Sequence, residues 1–169
     1  MPISAYESTV AVLLRGLTNL KTVLAKGEAY AVEKQLNPSE LIGARLAQDM
    51  YDLAGQVHWA AEGARLAAAR LVGTATSPTL GEPKTFPALY ESIDATIAYL
   101  AALAPDDLEA GLERAIVIDH RGGSLTFGGR QFFLQLALPS FFFHATAAYA
   151  ILRHQGVPLT KGDILGALG

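Results

Sequence analysis

The chain carries four histidines, and two of them sit where helices could bring chemistry together. His58 and Glu62 lie four apart in a segment of helical character, so they share a face. His58 is about 100° round from Val57, at the edge of that segment's apolar stripe. His144 stands in the middle of a long uncharged stretch, with Ser140 one turn before it. Bundles build metal and ligand sites from side chains on facing helices. One neutral imidazole from each of two helices, completed by a carboxylate, suits a divalent cation. His58, Glu62 and His144 are therefore the candidate metal ligands. The sequence has no HxxxH pair, no HExxH and no third histidine at a matching spacing. The plainer alternative for each histidine is a hydrogen-bonded side chain in a polar pocket.

Other chemistries fail on residue type. There is no cysteine, which removes a thiolate nucleophile, an iron–sulfur cluster, a thiolate zinc site and a disulfide scaffold. The glycines of Gly123–Gly129 lack the lysine and hydroxyl residue of a phosphate loop. No GxSxG elbow occurs. His120 belongs to a turn, and His154 to a helix C-terminus that favours a partial positive charge.

The elements that must position these residues are mostly helical. Ser4–Ala25 carries Val10, Leu13, Leu14, Leu17, Leu20 and Leu24 on one stripe, with Gly27 as its expected stop. Asn37-Pro38 marks a turn or helix start. A second long helix is expected over Leu46–Val72, or from a cap at Asp49, ending at Gly73. Its later apolar face is nearly all alanine, so a neighbouring helix can approach closely and this helix should be central. A loop over Thr74–Pro83, with Pro78, Gly81 and Pro83, leads to a third helix capped by Thr85 and running to about Leu103. Pro105 starts a short helical turn with Asp106 and Asp107 near its N-terminus. Ala115–Asp119 and Leu125–Phe127 read as a small hairpin around His120–Gly123. The last long helix covers Gly129–His154, kinked at Pro139 and capped by Gly156. The tail Leu159–Gly169 is expected to pack as a loop or turn. Four long helices and a hairpin, packed antiparallel around one core, make an all-α four-helix bundle in a single domain spanning 1–169.

Composition agrees. Hydrophobic residues are 51% and charged residues 17% of 169, with mean hydropathy +0.28, which excludes disorder. The net charge is −3 and no basic cluster occurs, so a nucleic-acid partner is not expected. The N-terminus lacks a basic region and a small-residue cleavage motif, so the expected location is the cytoplasm. Gln131–Leu152 has no charged residue and is long enough to span a bilayer. Its Gln131, Gln135, Pro139, Ser140, His144 and Thr146 argue instead for a helix buried on most sides, with no membrane partner. Phe141, Phe142 and Phe143 cannot all face one way on a helix. At least one ring must leave the bundle core, which points to a homodimer.

The stretches LPSFFFH at 138–144 and AYAILRHQGVP at 148–158, with ARLAQDM at 44–50 and Gln56-Val57, resemble the motifs of a bacterial and fungal domain of unknown function. That family is similar to the DinB/YfiT-like superfamily, and the likeness runs from about residue 5 to 165. It implies a four-helix bundle, usually dimeric. In better-known members one histidine of the second helix and an HxxxH pair of the last bind a divalent metal, often nickel or zinc, and some are thiol-dependent transferases or isomerases. On this chain the pair falls on Ser140 and His144, and the second-helix ligand near His58. Serine is a poor ligand for such metals beside histidine. Ser140 and Gln56 are then candidate pocket residues.

Two functions follow. One is a dimer, non-catalytic or binding a small molecule, with a degenerate metal site. The other is a divalent-metal-dependent enzyme, a transferase, isomerase or hydrolase, whose thiol would come from a cosubstrate. The missing partner at Ser140 favours the first.

Overall fold

A computed structural model describes residues 3–74, 81 and 83–167. Those residues are mostly helical, with one two-stranded antiparallel hairpin. Helix α1 (Ala5–Ser8) is closed by a capping box between Ser4 and Glu7. Helix α2 (Val10–Glu33) buries the expected stripe of Val10, Leu13, Leu17, Leu20 and Leu24, but it does not stop at Gly27. A methyl group there would stand 2.9 Å from Leu152 Cδ2. Gly27 thus serves a close helix approach and not a cap, and the helix gains two further turns.

Asn37 caps α3 (Pro38–Ile42), its side chain accepting from the Ser39 N–H. The next long helix, α4 (Leu53–Val72), starts later than either expected position. Asp52 is its cap, accepting from Gly55 N–H at 2.9 Å, and Leu46 is exposed in the loop before it. The spacing of Leu46 and Met50 continues the stripe of α4 by coincidence. The segment Gly43–Asp52 instead closes as a loop on a hydrogen bond from Leu53 N–H to the Ala44 carbonyl. Within α4 the residues Ala60, Ala61, Ala64, Ala67 and Ala68 are buried, and the helix touches α3, α2 and every later long helix. Gly73 ends it in the left-handed conformation at φ 75°.

Of the loop expected over Thr74–Pro83, Pro78 lies outside the described residues. Thr85 caps α5 (Phe86–Ala101) as expected, and α6 (Pro105–Leu112) follows. Strands β1 (Ala115–His120) and β2 (Gly123–Gly128) pair antiparallel from Ala115↔Gly128 to His120↔Gly123, slightly longer than their apolar runs.

The last long segment is not one uniform helix. It is α7 (Gly129–Phe132), a π-helical turn over Phe133–Ala137, and α8 (Leu138–His154). Pro139 stands just after the widened turn. Proline has no N–H to offer and its ring crowds the preceding turn, and a wider π turn relieves that crowding. The structure also corrects the expected burial. Only 28% of the most apolar 18-residue stretch is buried. By length and composition this is the one helix among the described residues that could cross a membrane. Phe133, Phe141, Ala145, Ala148, Ile151 and Leu152 enter the core, while Leu134, Leu136, Phe142 and Phe143 face outward. Gly156, at φ 91°, ends α8 with Val157 N–H bonded to the Leu152 carbonyl. The tail is more ordered than a loop. Thr160 and Asp163 cap a short α9 (Lys161–Leu165), held on α2 by Lys26–Asp163 at 2.6 Å and by Arg15 on the Leu165 carbonyl.

Candidate functional site

Helices α4 and α8 run antiparallel, which fixes what faces what. At one end Gln56 meets His144. At the other, Gly111 of α6 packs on the Leu71 carbonyl and Gly129 packs on Gly111, so the start of α7 lies beside the end of α4. Along the seam runs a groove of about 340 Å³. Trp59, Gly63, Leu66, Ala67 and Arg70 line one wall, and Phe132, Leu136, Ala137, Ser140 and His144 the other, with Ile118 of the hairpin at the side. Glycine and alanine on the α4 wall keep the groove open. The π turn sets Leu136 and Ala137 along the opposite wall.

The polar end of the groove is built from few bonds. His144 Nδ1 and Gln56 Oε1 are 2.8 Å apart. Gln56 Nε2 donates to the Tyr51 carbonyl at 3.3 Å, which turns the amide oxygen toward the imidazole. An amide oxygen only accepts, so Nδ1 carries the proton and Nε2 keeps its lone pair. Burial holds the His144 pKa below the ordinary imidazole value, which keeps the ring neutral. Tyr51 and Phe143 flank it, their ring centres 6.4 and 5.2 Å away. The result is a neutral imidazole of fixed tautomer that can accept a hydrogen bond or a proton through Nε2.

The expected metal residues are divided between two faces of α4. Gln56 and His58 are two apart, about 200° round the helix. If Gln56 faces α8, His58 faces away from it. His58 and Glu62 indeed line a second cavity of about 360 Å³ against α5, with Ala88, Glu91, Ser92, Ala95 and Thr96. Glu62 is buried there and bonded to Arg65 through both oxygens, at 2.7 and 2.9 Å. Among the described residues no three His, Cys, Asp or Glu side chains converge as a metal site would need. The structure therefore brings together Gln56, Ser140 and His144, and leaves His58 and Glu62 on the other side. His120 and His154 are exposed.

Two contributors escaped the sequence reading. Tyr51 lies in the loop taken for helix, so its contact with His144 had no signal. Arg70 ends the α4 wall as the single charged residue among the described residues that line the groove. A basic residue in a last helical turn has an ordinary explanation in the helix dipole, which hid it.

Residues 5–165 match a family model described as a domain of unknown function (DUF1993). The crystal structure of a DinB family member protein from Shewanella denitrificans is similar to this chain at 33% identity, with a TM-score of 0.85. The likeness covers 96% of this chain and 92% of that one. No curated protein matches the chain.

Proposed function

The chain belongs to the DUF1993 family, with a DinB-like fold, and from that premise we propose that it binds a small molecule in the α4–α8 groove, as a dimer with a degenerate metal site. In this reading the four long helical segments form the antiparallel bundle of that superfamily. The observation that carries the proposal is the Gln56–His144 pair. The DinB resemblance implies three imidazoles around a divalent ion, and the residues at the seam do not fit that role. Of His144, Ser140 and Gln56, only His144 is a good ligand for nickel or zinc. The second imidazole, His58, lines the cavity on the α5 side. Glu62, the carboxylate that could have replaced a histidine, is committed to Arg65. What remains is a concave, mainly apolar site with a few convergent polar groups, the usual make-up of a small-ligand site.

The dimer rests on a separate observation. Phe143 is 57% exposed, Leu134 53% and Phe142 42%, all on the last long helical segment. Large apolar surface of this kind marks an interaction site, and a second copy is the simplest partner.

Trp59 is the only tryptophan and lines the groove, so its emission reports occupancy. The expected result is a saturable emission change with members of a set of small apolar fragments, weakened in His144→Phe. A fragment set that leaves Trp59 emission unchanged throughout would refute the binding reading.

A further inference from the structure

The groove has two chemically different ends. His144 and Ser140 stand at one, Arg70 at the other, and Leu66 and Ala67 on one wall face Leu136 and Ala137 on the other as the apolar lining between them. Trp59 and Arg70 are eleven residues apart on α4, so the groove extends about 16 Å along the helix.

The Arg70 side chain has no hydrogen bond or ion pair among the described residues, although the residue is half-buried. Burial alone acts on its pKa, lowering it, with no acceptor or carboxylate opposing that effect. A guanidinium cannot shed its charge at physiological pH. A partly desolvated cation without a counter-charge is costly, and an anion supplied from solution removes that cost. Among the described residues the rest of the lining bears no charge, since His144 is neutral and Ser140 is a hydroxyl. One guanidinium balances one negative charge and matches the planar fork of a carboxylate. A phosphate dianion would bring a charge that nothing else in the groove offsets.

We propose that the groove selects a small monocarboxylic acid with an apolar body, its carboxylate paired with Arg70 and its chain lying between the apolar walls toward Ser140 and His144. This rests on the ligand-binding reading above and adds the charge and polarity of the ligand. It also gives Arg70 a role as a specificity-determining residue.

The test titrates octanoate and 1-octanol into the protein, reading Trp59 emission and calorimetric heat. The two probes share a chain and differ in the charged end. Wild type, Arg70→Met and Arg70→Lys are compared, with thermal melting of each. Wild type should bind octanoate about tenfold or more tighter than 1-octanol, the scale of a charge-assisted hydrogen bond. Arg70→Met should lose that preference while its 1-octanol affinity stays within about twofold. Arg70→Lys should keep part of it. If both probes bind equally and Arg70→Met leaves octanoate unchanged, the groove takes ligands but Arg70 does not read charge, and the inference fails alone. A change in melting temperature with unchanged selectivity would make Arg70 a helix-end residue and overturns the inference equally. If neither probe binds, the ligand-binding reading fails and takes the inference with it.

Discussion

Removing both sides of the Gln56–His144 pair should cost less than the two single removals added together. In Gln56→Leu the orphan is His144 Nδ1–H, and His144 is only half-buried, so water can partly replace the amide. The expected loss is about 1 kcal/mol, the net worth of an ordinary hydrogen bond. In His144→Phe the orphan is Gln56 Oε1, on a residue only 1% exposed. A buried acceptor without a donor costs about 1–3 kcal/mol, so about 2 is expected. The double variant replaces both partners by apolar groups and leaves neither orphan. Its loss should be about 1 kcal/mol, below the sum of the singles by about 2. Urea unfolding with a constant slope measures all three changes. Additive losses would show that the bond adds nothing, and the argument for a fixed tautomer at His144 would fall with it.

Three further outcomes follow from the geometry. Gly63→Ala and Gly16→Ala should move stability in opposite directions. Each replaces a helical glycine by a better helix former, a gain of up to about 1 kcal/mol. A methyl at Gly63 meets nothing within 4 Å, so that variant keeps the gain, whereas one at Gly16 would stand 2.7 Å from Cζ of the buried Phe141 ring and should lose about 1 kcal/mol net. In pH titration, the folded pKa of His144 lies below the unfolded value of about 6.5, so its neutral burial adds stability in full above that pH. Stability should fall as pH drops through 6.5 toward the folded pKa, by a modest amount because the ring is half-exposed, and His144→Phe should flatten that part of the profile in denaturation curves. Phe143→Arg should convert the proposed dimer to monomer in sedimentation equilibrium. A wild-type monomer at tens of micromolar would contradict the dimer.

The helical skeleton was legible because apolar spacing and caps act locally. Thr85, Asn37, Pro105, Gly73 and Gly156 each mark a boundary by their own chemistry. Where the cause lay in a distant contact, the reading failed. Gly27 looks like a stop until Leu152 is seen above it. Asp52 is one of two acids near the start of α4, and nothing local says that it caps instead of Asp49. Pro139 announced a disturbance, but a kink and a widened π turn both relieve a proline's crowding, and the sequence does not say which one forms. The site divided in the same way. Ser140 and His144 line the groove, and Gln56, buried behind it, reaches it only through its bond to His144. His58 was assigned by residue type, though the angle of about 200° from Gln56 separates the two faces of α4 once one of them is known to meet α8. Facing is a tertiary fact, and a single helix cannot state which of its sides meets which neighbour.

The central claim is that His144 stands in a ligand groove and not in a metal centre. Elemental analysis tests it most directly, on protein prepared without chelator or histidine tag, before and after loading with nickel or zinc, beside His144→Ala. The account predicts well under one ion per chain in both proteins. One ion per chain in wild type, lost in His144→Ala, would contradict it.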